Sequence, residues 1–266
     1  MRFGFTTALI TKTSQAIDYE AVRLIKDSGY DYAEFPLSQI AALTGEQFEE
    51  LLAALPRIGL GCDFCSNFFP EHIRLTGPYV NFEEINRYLK QAIPRAARLG
   101  AKAVVLGSYP SRNLPEGFPK EKGMEEFMRV IRECILPVCQ EHDVGVVLEP
   151  ILKQLCNFIN SLSDGMQVVK RINSPRFGLL ADTMHMLGEK DDPQLVVDYK
   201  NALRHVHISE AERILPEDSY SEAVQAIIDH LVKAGYNKNI SFEALGGRAP
   251  DSMANALQLL KRQFGV

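Results

Sequence analysis

Short apolar runs and longer amphipathic stretches alternate along the whole chain, and this alternation predicts eight strand–helix pairs. Short apolar runs are typical of buried strands in a parallel sheet. The predicted strands cover residues 3–7, 31–36, 58–66, 101–107, 144–149, 177–182, 203–209 and 239–243. The predicted helices that follow them cover residues 15–28, 46–55, 82–99, 122–142, 163–171, 193–199, 221–234 and 252–264.

Eight β-α units in a chain of 266 residues match the count and size of a (β/α)₈ barrel, also called a TIM barrel. Glycine stands between a predicted helix and the next strand at Gly29, Gly100 and Gly235, where it can end the helix in the left-handed conformation. No linker or low-complexity segment interrupts the alternation. We therefore expect α/β class and a single barrel domain over residues 1–266.

Composition and charge narrow the class of protein further. The chain is 46% hydrophobic and 24% charged, with a net charge of -5 at pH 7, which is typical of a globular protein and disfavours a nucleic-acid partner. No apolar run reaches the length of a membrane span, and the N-terminal stretch resembles a first strand rather than a signal peptide. Five irregularly spaced cysteines favour a reducing compartment. We expect a cytoplasmic protein without membrane or nucleic-acid partners.

Four polar residues end predicted strands, on the side of the barrel where such folds build their sites. They are Glu149, Asp182, His207 and Glu243, from the fifth to the eighth strands. Carboxylates that converge on one point repel each other unless a cation lies between them. Three carboxylates and one imidazole suit Mn²⁺, Co²⁺, Mg²⁺ or Zn²⁺. The alternative is that each is an ordinary polar residue at a strand end.

The spacing agrees with convergence, because the gaps between these residues are 33, 25 and 36 positions, each the length of one β-α unit. On the seventh strand, His205 and His207 point to the same face, since side chains alternate along a strand. His207 lies nearer the strand end, so we expect it to be the ligand. We interpret His205 as a residue of a layer inside the barrel.

Several short motifs lie in the second half of the chain: LEP at 148–150, CNF at 156–158, ADTMHM at 181–186, HVHISEAER at 205–213 and FEA at 242–244. Through these motifs the chain resembles the xylose-isomerase-like TIM barrels of the sugar phosphate isomerase/epimerase group, and within it the D-tagatose 3-epimerase and D-psicose (allulose) 3-epimerase family. The first half resembles that family only in architecture.

The resemblance implies a sugar epimerase or isomerase that depends on one divalent metal, usually Mn²⁺ or Co²⁺. It also implies that Glu149 and Glu243 are both metal ligands and the catalytic acid–base pair, with Asp182 and His207 completing the metal site. Proton transfer next to a carbonyl would then pass through an enediolate that the metal stabilises.

In the same family, residues at the positions of His185 and Arg213 hold substrate oxygens. The substrate is a small carbohydrate, and the proteins are often dimers or tetramers. Alternatively, His185 is a satisfied polar loop residue and Arg213 a solvated loop charge.

The chain departs from the family pattern six residues after Glu149, where a substrate-contacting glutamate is usual and Leu155 stands instead. The absence of this glutamate argues against ketose 3-epimerisation more than it argues against a bound metal. It favours, as an alternative, an inosose dehydratase or isomerase with the same metal site. Two further alternatives are an endonuclease IV-like phosphodiesterase, which needs extra histidines on early strands, and a sugar-binding barrel without activity.

Three other features are weaker candidates for functional sites. Glu34, placed at the end of the second strand, is a candidate for anchoring substrate or a loop. Cys62 and Cys65 have C-x-x-C spacing, but they lie along a strand without a second pair, so we interpret them as small residues lining the barrel. Gly107 and the pair Gly246–Gly247 are candidates for a phosphate-binding loop, and Arg248 for a substrate contact.

Overall fold

Eight parallel strands close into a barrel, which confirms the predicted (β/α)₈ fold. The structure is a computed structural model that describes residues 1–12, 16–245 and 249–266. Each strand pairs with its neighbours in chain order, and β1 pairs with β8. The strands are β1 Arg2–Thr6, β2 Tyr32–Pro36, β3 Phe64–Ser66, β4 Ala103–Leu106, β5 Gly145–Leu148, β6 Phe177–Asp182, β7 Leu203–Ile208 and β8 Asn239–Phe242.

Twelve α-helices surround the barrel in the described part of the chain, and a π-helical turn at Ile131–Ile135 joins two of them. They are α1 Tyr19–Asp27, α2 Leu37–Ala42, α3 Gly45–Ile58, α4 Phe82–Leu99, α5 Tyr109–Arg112, α6 Lys120–Val130, α7 Leu136–Glu141, α8 Leu162–Ile172, α9 Thr183–Glu189, α10 Gln194–Asp198, α11 Glu222–Lys233 and α12 Pro250–Phe264.

The boundaries of α4 show how the local sequence sets an element. The Asn81 side chain accepts hydrogen bonds from the backbone N–H groups of Glu83 and Glu84, which caps the first turn. At the other end, Gly100 has φ 93, a left-handed conformation that costs glycine little and that turns the chain toward β4. Between these caps, one face of the helix is buried against the barrel, through Ile85, Leu89, Ala92, Ile93, Ala96 and Leu99.

Side chains fill the inside of the barrel, so the fold is a packed core rather than a channel. The inner cluster of apolar side chains consists of Tyr32, Phe64, Ala103, Val105, Val147 and Leu180. His205 belongs to this interior, because its ring is fully buried and stacks on the Phe64 ring with centroids 3.8 Å apart. The larger hydrophobic core lies between the strands and the surrounding helices.

The two cysteines with C-x-x-C spacing are buried, Cys65 within β3 and Cys62 two residues before it. Both are free, with their sulfur atoms 3.7 Å apart. They pack in the larger hydrophobic core, so the expectation that they line the barrel is wrong: Cys65 alternates with Phe64, which belongs to the inner cluster. None of the helices in the described part of the chain combines the length and the apolar composition that a membrane span requires.

Candidate active site

Four neighbouring strands deliver the predicted metal-ligating residues to one end of the barrel. Glu149 directly follows β5, Asp182 is the last residue of β6, His207 lies in β7, and Glu243 directly follows β8. Parallel strands all end at the same rim, which is why residues far apart in sequence meet there. Below, the name strand-end cluster means Glu149, Asp182, His207 and Glu243.

The distances within the strand-end cluster suit a single ion. His207 Nδ1 lies 3.3 Å from Glu149 Oε1, 3.1 Å from Glu243 Oε2 and 3.6 Å from Asp182 Oδ2. One ligand atom from each residue lies within 4.8 Å of all the others. The donor set of three carboxylates and one imidazole matches Mn²⁺ and Co²⁺ and also accepts Mg²⁺ or Zn²⁺.

The balance of charges at the strand-end cluster also favours a divalent cation. The three carboxylates of the strand-end cluster face one guanidinium, that of Arg213, whose Nη1 lies 2.5 Å from Asp182 Oδ2 and whose Nη2 lies 3.0 Å from Glu243 Oε2. With His207 counted as the neutral imidazole that metal ligation requires, two negative charges remain in a largely buried place, where unbalanced charge is costly. A divalent cation would balance them.

The ionisation of the carboxylates also favours a cation. Burial alone raises the pKa of Asp182, but Arg213, His185 and His207 together hold it well below its usual range. Burial likewise raises the pKa of Glu243, and Arg213 and His207 outweigh that effect and lower it. Both side chains are therefore ionised at neutral pH, as metal ligands must be.

Glu34 does not lie at the rim of the barrel, where the sequence analysis placed it. The expectation that it anchors substrate or a loop is wrong. β2 continues beyond Glu34, and the side chain points into the barrel, where it is fully buried. Its Oε1 lies 3.0 Å from His207 Nε2, and its Oε2 lies 3.0 Å from His205 Nε2. Burial raises the pKa of Glu34, but the two histidines outweigh this and hold it well below its usual range.

The contact between Glu34 and His207 orients the imidazole. An ionised carboxylate only accepts hydrogen bonds, so His207 Nε2 donates to Glu34 Oε1. This leaves His207 Nδ1 facing the carboxylates of the strand-end cluster, as a metal ligand requires. Ser241 Oγ donates to the other oxygen of Glu34 at 2.6 Å and holds the carboxylate in place.

His185 and Arg213 stand beside the strand-end cluster. Asp182 caps α9 by accepting a hydrogen bond from the backbone N–H of His185 at 3.0 Å, which places the imidazole over the site. His185 Nε2 lies 3.2 Å from Arg213 Nη2, and its Nδ1 has no hydrogen-bond partner among the described residues. Burial lowers the pKa of Arg213, but Asp182 and Glu243 raise it above its usual value, so it stays charged.

A pocket of ≈ 290 Å³ opens above the strand-end cluster. Glu149, His185, Arg213 and Glu243 line it on the polar side. Leu155 also lines it. The remaining lining residues are Ala8, Leu9, Asn67, Gly107, Tyr109, Ile151, Met184 and Leu245.

Two contributions to the site escaped the sequence analysis. The role of Glu34 depends on His207, which is 173 positions away in the chain, so spacing within one β-α unit does not reveal it. Gly107 lines the pocket, and its lack of a Cβ leaves the space that Glu149 Oε2 occupies. A carboxylate at this point disfavours phosphate next to Gly107. Gly246, Gly247 and Arg248 lie outside the described residues.

Comparison with known proteins agrees with this geometry. The family model described as xylose isomerase-like TIM barrel matches residues 22–263. The chain is 26% identical over 241 residues to the 3-dehydro-D-guloside 4-epimerase of Escherichia coli (strain K12), which covers 84% of this chain and 86% of that protein. It is 30% identical over 130 residues to the ketose 3-epimerase of Arthrobacter globiformis, which covers 46% of this chain and 40% of that protein.

Among solved structures, an L-ribulose 3-epimerase superposes with a TM-score of 0.84, covering 99% of this chain and 94% of that one at 19% sequence identity. At that identity the likeness establishes the fold. The relatives found by sequence are epimerases of small sugars, and the strand-end cluster has the residues of a metal site.

Proposed function

Because the chain belongs to the xylose isomerase-like TIM barrel family, we propose that it is a divalent-metal-dependent epimerase of keto sugars. It inverts a carbon next to a ketone by removing a proton from one face and returning one to the other. The observation that carries this proposal is the convergence of Glu149, Asp182, His207 and Glu243, whose ligand atoms lie within 4.8 Å of one another and two of which, Glu149 and Glu243, line the pocket.

Glu149 and Glu243 form the acid–base pair. Both line the pocket, and they enter it from different strands, β5 and β8. Two carboxylates on different sides of a bound carbon can exchange protons with opposite faces, so inversion needs no movement of either base. The lowered pKa of Glu243 keeps it ionised and ready to accept a proton.

Glu149, Asp182, His207 and Glu243 would hold the metal, with Mn²⁺ or Co²⁺ preferred and Mg²⁺ or Zn²⁺ also compatible. A cation held by these residues would supply the positive charge that makes the C–H next to a ketone more acidic and stabilises an enediolate.

His185 and Arg213 orient the substrate. Arg213 lines the pocket as a charged donor, and its contacts with Asp182 and Glu243 fix the guanidinium beside the acid–base pair. His185 Nδ1 makes no hydrogen bond with any described residue and is available to a substrate oxygen. Two such donors hold the keto sugar so that the reacting carbon stays between the carboxylates.

Two relatives suggest two kinds of keto sugar. The 3-dehydro-D-guloside 4-epimerase aligns over 84% of this chain, whereas the ketose 3-epimerase aligns over 46%. Leu155 lines the pocket where the ketose 3-epimerase family usually has a carboxylate, and leucine accepts no hydrogen bond from a sugar. We therefore place cyclic keto-glycosides first and free ketoses second.

The test is incorporation of solvent deuterium into a panel of free ketoses, inososes and 3-keto-glycosides, followed by NMR. The enzyme is first treated with a chelator and then supplied with Mn²⁺ or Co²⁺. We expect metal-dependent deuterium uptake at the carbon next to the ketone, together with the inverted product.

Two other results would contradict the proposal. Loss of water from an inosose without epimer would indicate a dehydratase, since elimination also begins with proton removal next to a carbonyl. Binding of the metal without exchange on any keto sugar would indicate a binding protein rather than an epimerase.

A further inference from the structure

The pocket has two chemically different parts. The acid–base pair, His185 and Arg213 line it and are largely buried, and these four residues are called the floor. Tyr109, Leu155 and Leu245 also line the pocket but are 39%, 41% and 47% exposed, so they lie where the pocket meets solvent. Below, these three residues are called the apolar mouth. Exposed apolar side chains that cluster around a pocket commonly mark a binding surface.

Leu155 is held in place by a network between two loops. Asn113 Nδ2 donates to the backbone carbonyl of Leu155 at 3.3 Å, and Asn113 Oδ1 accepts from the backbone N–H of Asn157 at 2.9 Å. The Asn157 side chain in turn bonds both backbone groups of Leu114, at 2.8 and 2.9 Å. The backbone of Leu155 is fixed in this way, so a ligand that binds here does not have to order the loop.

The backbone that carries the other two members of the apolar mouth is fixed as well. Tyr109 begins α5, and Arg112 at the end of that helix is fully buried and donates to the carbonyls of Leu106 and Glu149 at 3.0 and 2.7 Å. Leu245 pairs with Ile214 in a short parallel bridge, and its backbone N–H bonds the carbonyl of Arg213. The loops that supply the floor residues are therefore bonded to the loops that supply the apolar mouth.

This arrangement determines which substituent of a sugar bound at the floor can lie against the apolar mouth. A free ketose carries oxygen on every carbon, and hydroxyl groups that lose water against leucine without a new hydrogen bond weaken binding. An alkyl or aryl group in the same place gains from burial instead.

We infer that the substrate is a keto-glycoside with an apolar aglycone, and that the apolar mouth binds that aglycone while the floor holds the keto sugar. This inference rests on the proposed function. It adds the substituent that distinguishes the substrate from a free sugar and assigns Leu155, Leu245 and Tyr109 to its recognition.

The experiment compares the phenyl and methyl glycosides of the same 3-keto-hexose, with D-fructose as the free ketose. The rate of deuterium incorporation gives kcat/KM for each. We expect a phenyl-to-methyl ratio of about tenfold or more, because a buried ring contributes at least as much as roughly two buried methylene groups. D-Fructose should be poorer than either glycoside.

Variants locate the effect. Leu155→Asn and Leu245→Asn should each lower the phenyl-to-methyl ratio at least about threefold, because they replace apolar area by an amide. Leu155→Met keeps that area and should keep the ratio. Val232→Asn is the matched control, since Val232 is also an exposed apolar residue but lies on α11, away from the pocket.

The outcomes separate this inference from the proposed function. Metal-dependent exchange with equal rates for phenyl and methyl glycosides would overturn the aglycone site and leave the epimerase intact. Absence of exchange with every sugar would overturn the epimerase and the inference with it. If Leu155→Asn and Leu245→Asn instead dissociate an oligomer in light scattering while the ratio stays unchanged, a second copy covers the mouth and the inference is wrong.

Discussion

At Glu243, the exchange of one carboxylate oxygen for an amide nitrogen tests the acid–base pair. Glutamine has almost the same volume and keeps one oxygen donor toward a cation, but it cannot take up a proton. We expect Glu243→Gln to lower the rate of solvent-deuterium exchange by about 10²–10⁴-fold, the usual contribution of general acid–base catalysis. The rate is measured at saturating Mn²⁺, so that a weaker metal site does not imitate the effect.

The control for this variant is Glu212→Gln, an exposed carboxylate in the same loop as Arg213. It removes the same charge without touching the pocket, and it should keep the rate of the unmodified protein. Full activity in Glu243→Gln would mean that the acid–base pair is assigned wrongly.

Glu34 offers a second test, because it reaches the metal site only through His207. Glu34→Gln removes the negative charge that draws the Nε2 proton of His207 and leaves the imidazole a weaker ligand. We expect the affinity for Mn²⁺ to fall by roughly 10- to 100-fold, the usual effect of losing a partner behind a metal-bound histidine. Titration of Mn²⁺ followed by EPR measures this directly.

Ser241→Ala is the matched control, since it removes a hydrogen bond to Glu34 Oε2 but leaves the contact with His207. Its effect on affinity should be smaller. Equal Mn²⁺ affinity in Glu34→Gln and the unmodified protein would show that Glu34 only fills the barrel interior.

Sequence reasoning predicted the residues of the strand-end cluster and failed for Glu34, and the reason is physical. Polar residues at the ends of apolar strands meet at one rim by the geometry of the barrel, so their convergence follows from order along the chain. Which side of the sheet a side chain occupies depends on its position within the strand. The predicted strand 31–36 and β2 both continue past Glu34 to Pro36, so Glu34 is not a strand-end residue, and its side chain lies in the barrel interior.

At the scale of the elements, the residue after β4 determines where the carboxylate of Glu149 can lie. Gly107 follows this strand, and Glu149 Oε2 occupies the space that a Cβ would take. Gly107→Ala should push the flexible carboxylate aside rather than unfold the strand. Because displacement of a catalytic group by about 1 Å can cost roughly 10²-fold, we expect a loss of exchange activity of that order.

Gly45→Ala serves as the control for Gly107→Ala, since nothing lies within 4 Å of a Cβ built at the start of α3. It should keep both activity and thermal stability. If Gly107→Ala keeps full activity, the close approach of Glu149 to that strand is not required for catalysis.

Most elements follow from periodicity, and the exceptions are short. Phe82–Leu99 and Phe177–Asp182 coincide with the predicted ranges because sharp caps and a continuous apolar run mark their ends. The predicted third strand was too long, since Ile58 belongs to the end of α3 and the pairing with β2 begins later. The short helices α2, α5 and α9 lie in loops after strands, where one or two turns leave no periodic pattern.

At the scale of the whole molecule, the strand-end cluster brings together ligands from four neighbouring strands. Asp182 and His207 lie in β6 and β7, and Glu149 and Glu243 directly follow β5 and β8, so an ion bound there is tied to half of the barrel. The unfolded chain cannot hold these ligands together. Metal binding must therefore stabilise the folded protein.

Removal of the metal should accordingly lower the melting temperature. At a free metal concentration of about 100 times Kd, binding contributes roughly 2.7 kcal/mol, which corresponds to about 5–10 °C for a chain of this size. Differential scanning calorimetry before and after chelation, and after Mn²⁺ is restored, measures the shift. In Glu34→Gln the same total Mn²⁺ should give a smaller shift, because its affinity is lower. A melting temperature that ignores Mn²⁺ in the unmodified protein would mean that the strand-end cluster holds no ion, and the proposed chemistry would lose its basis.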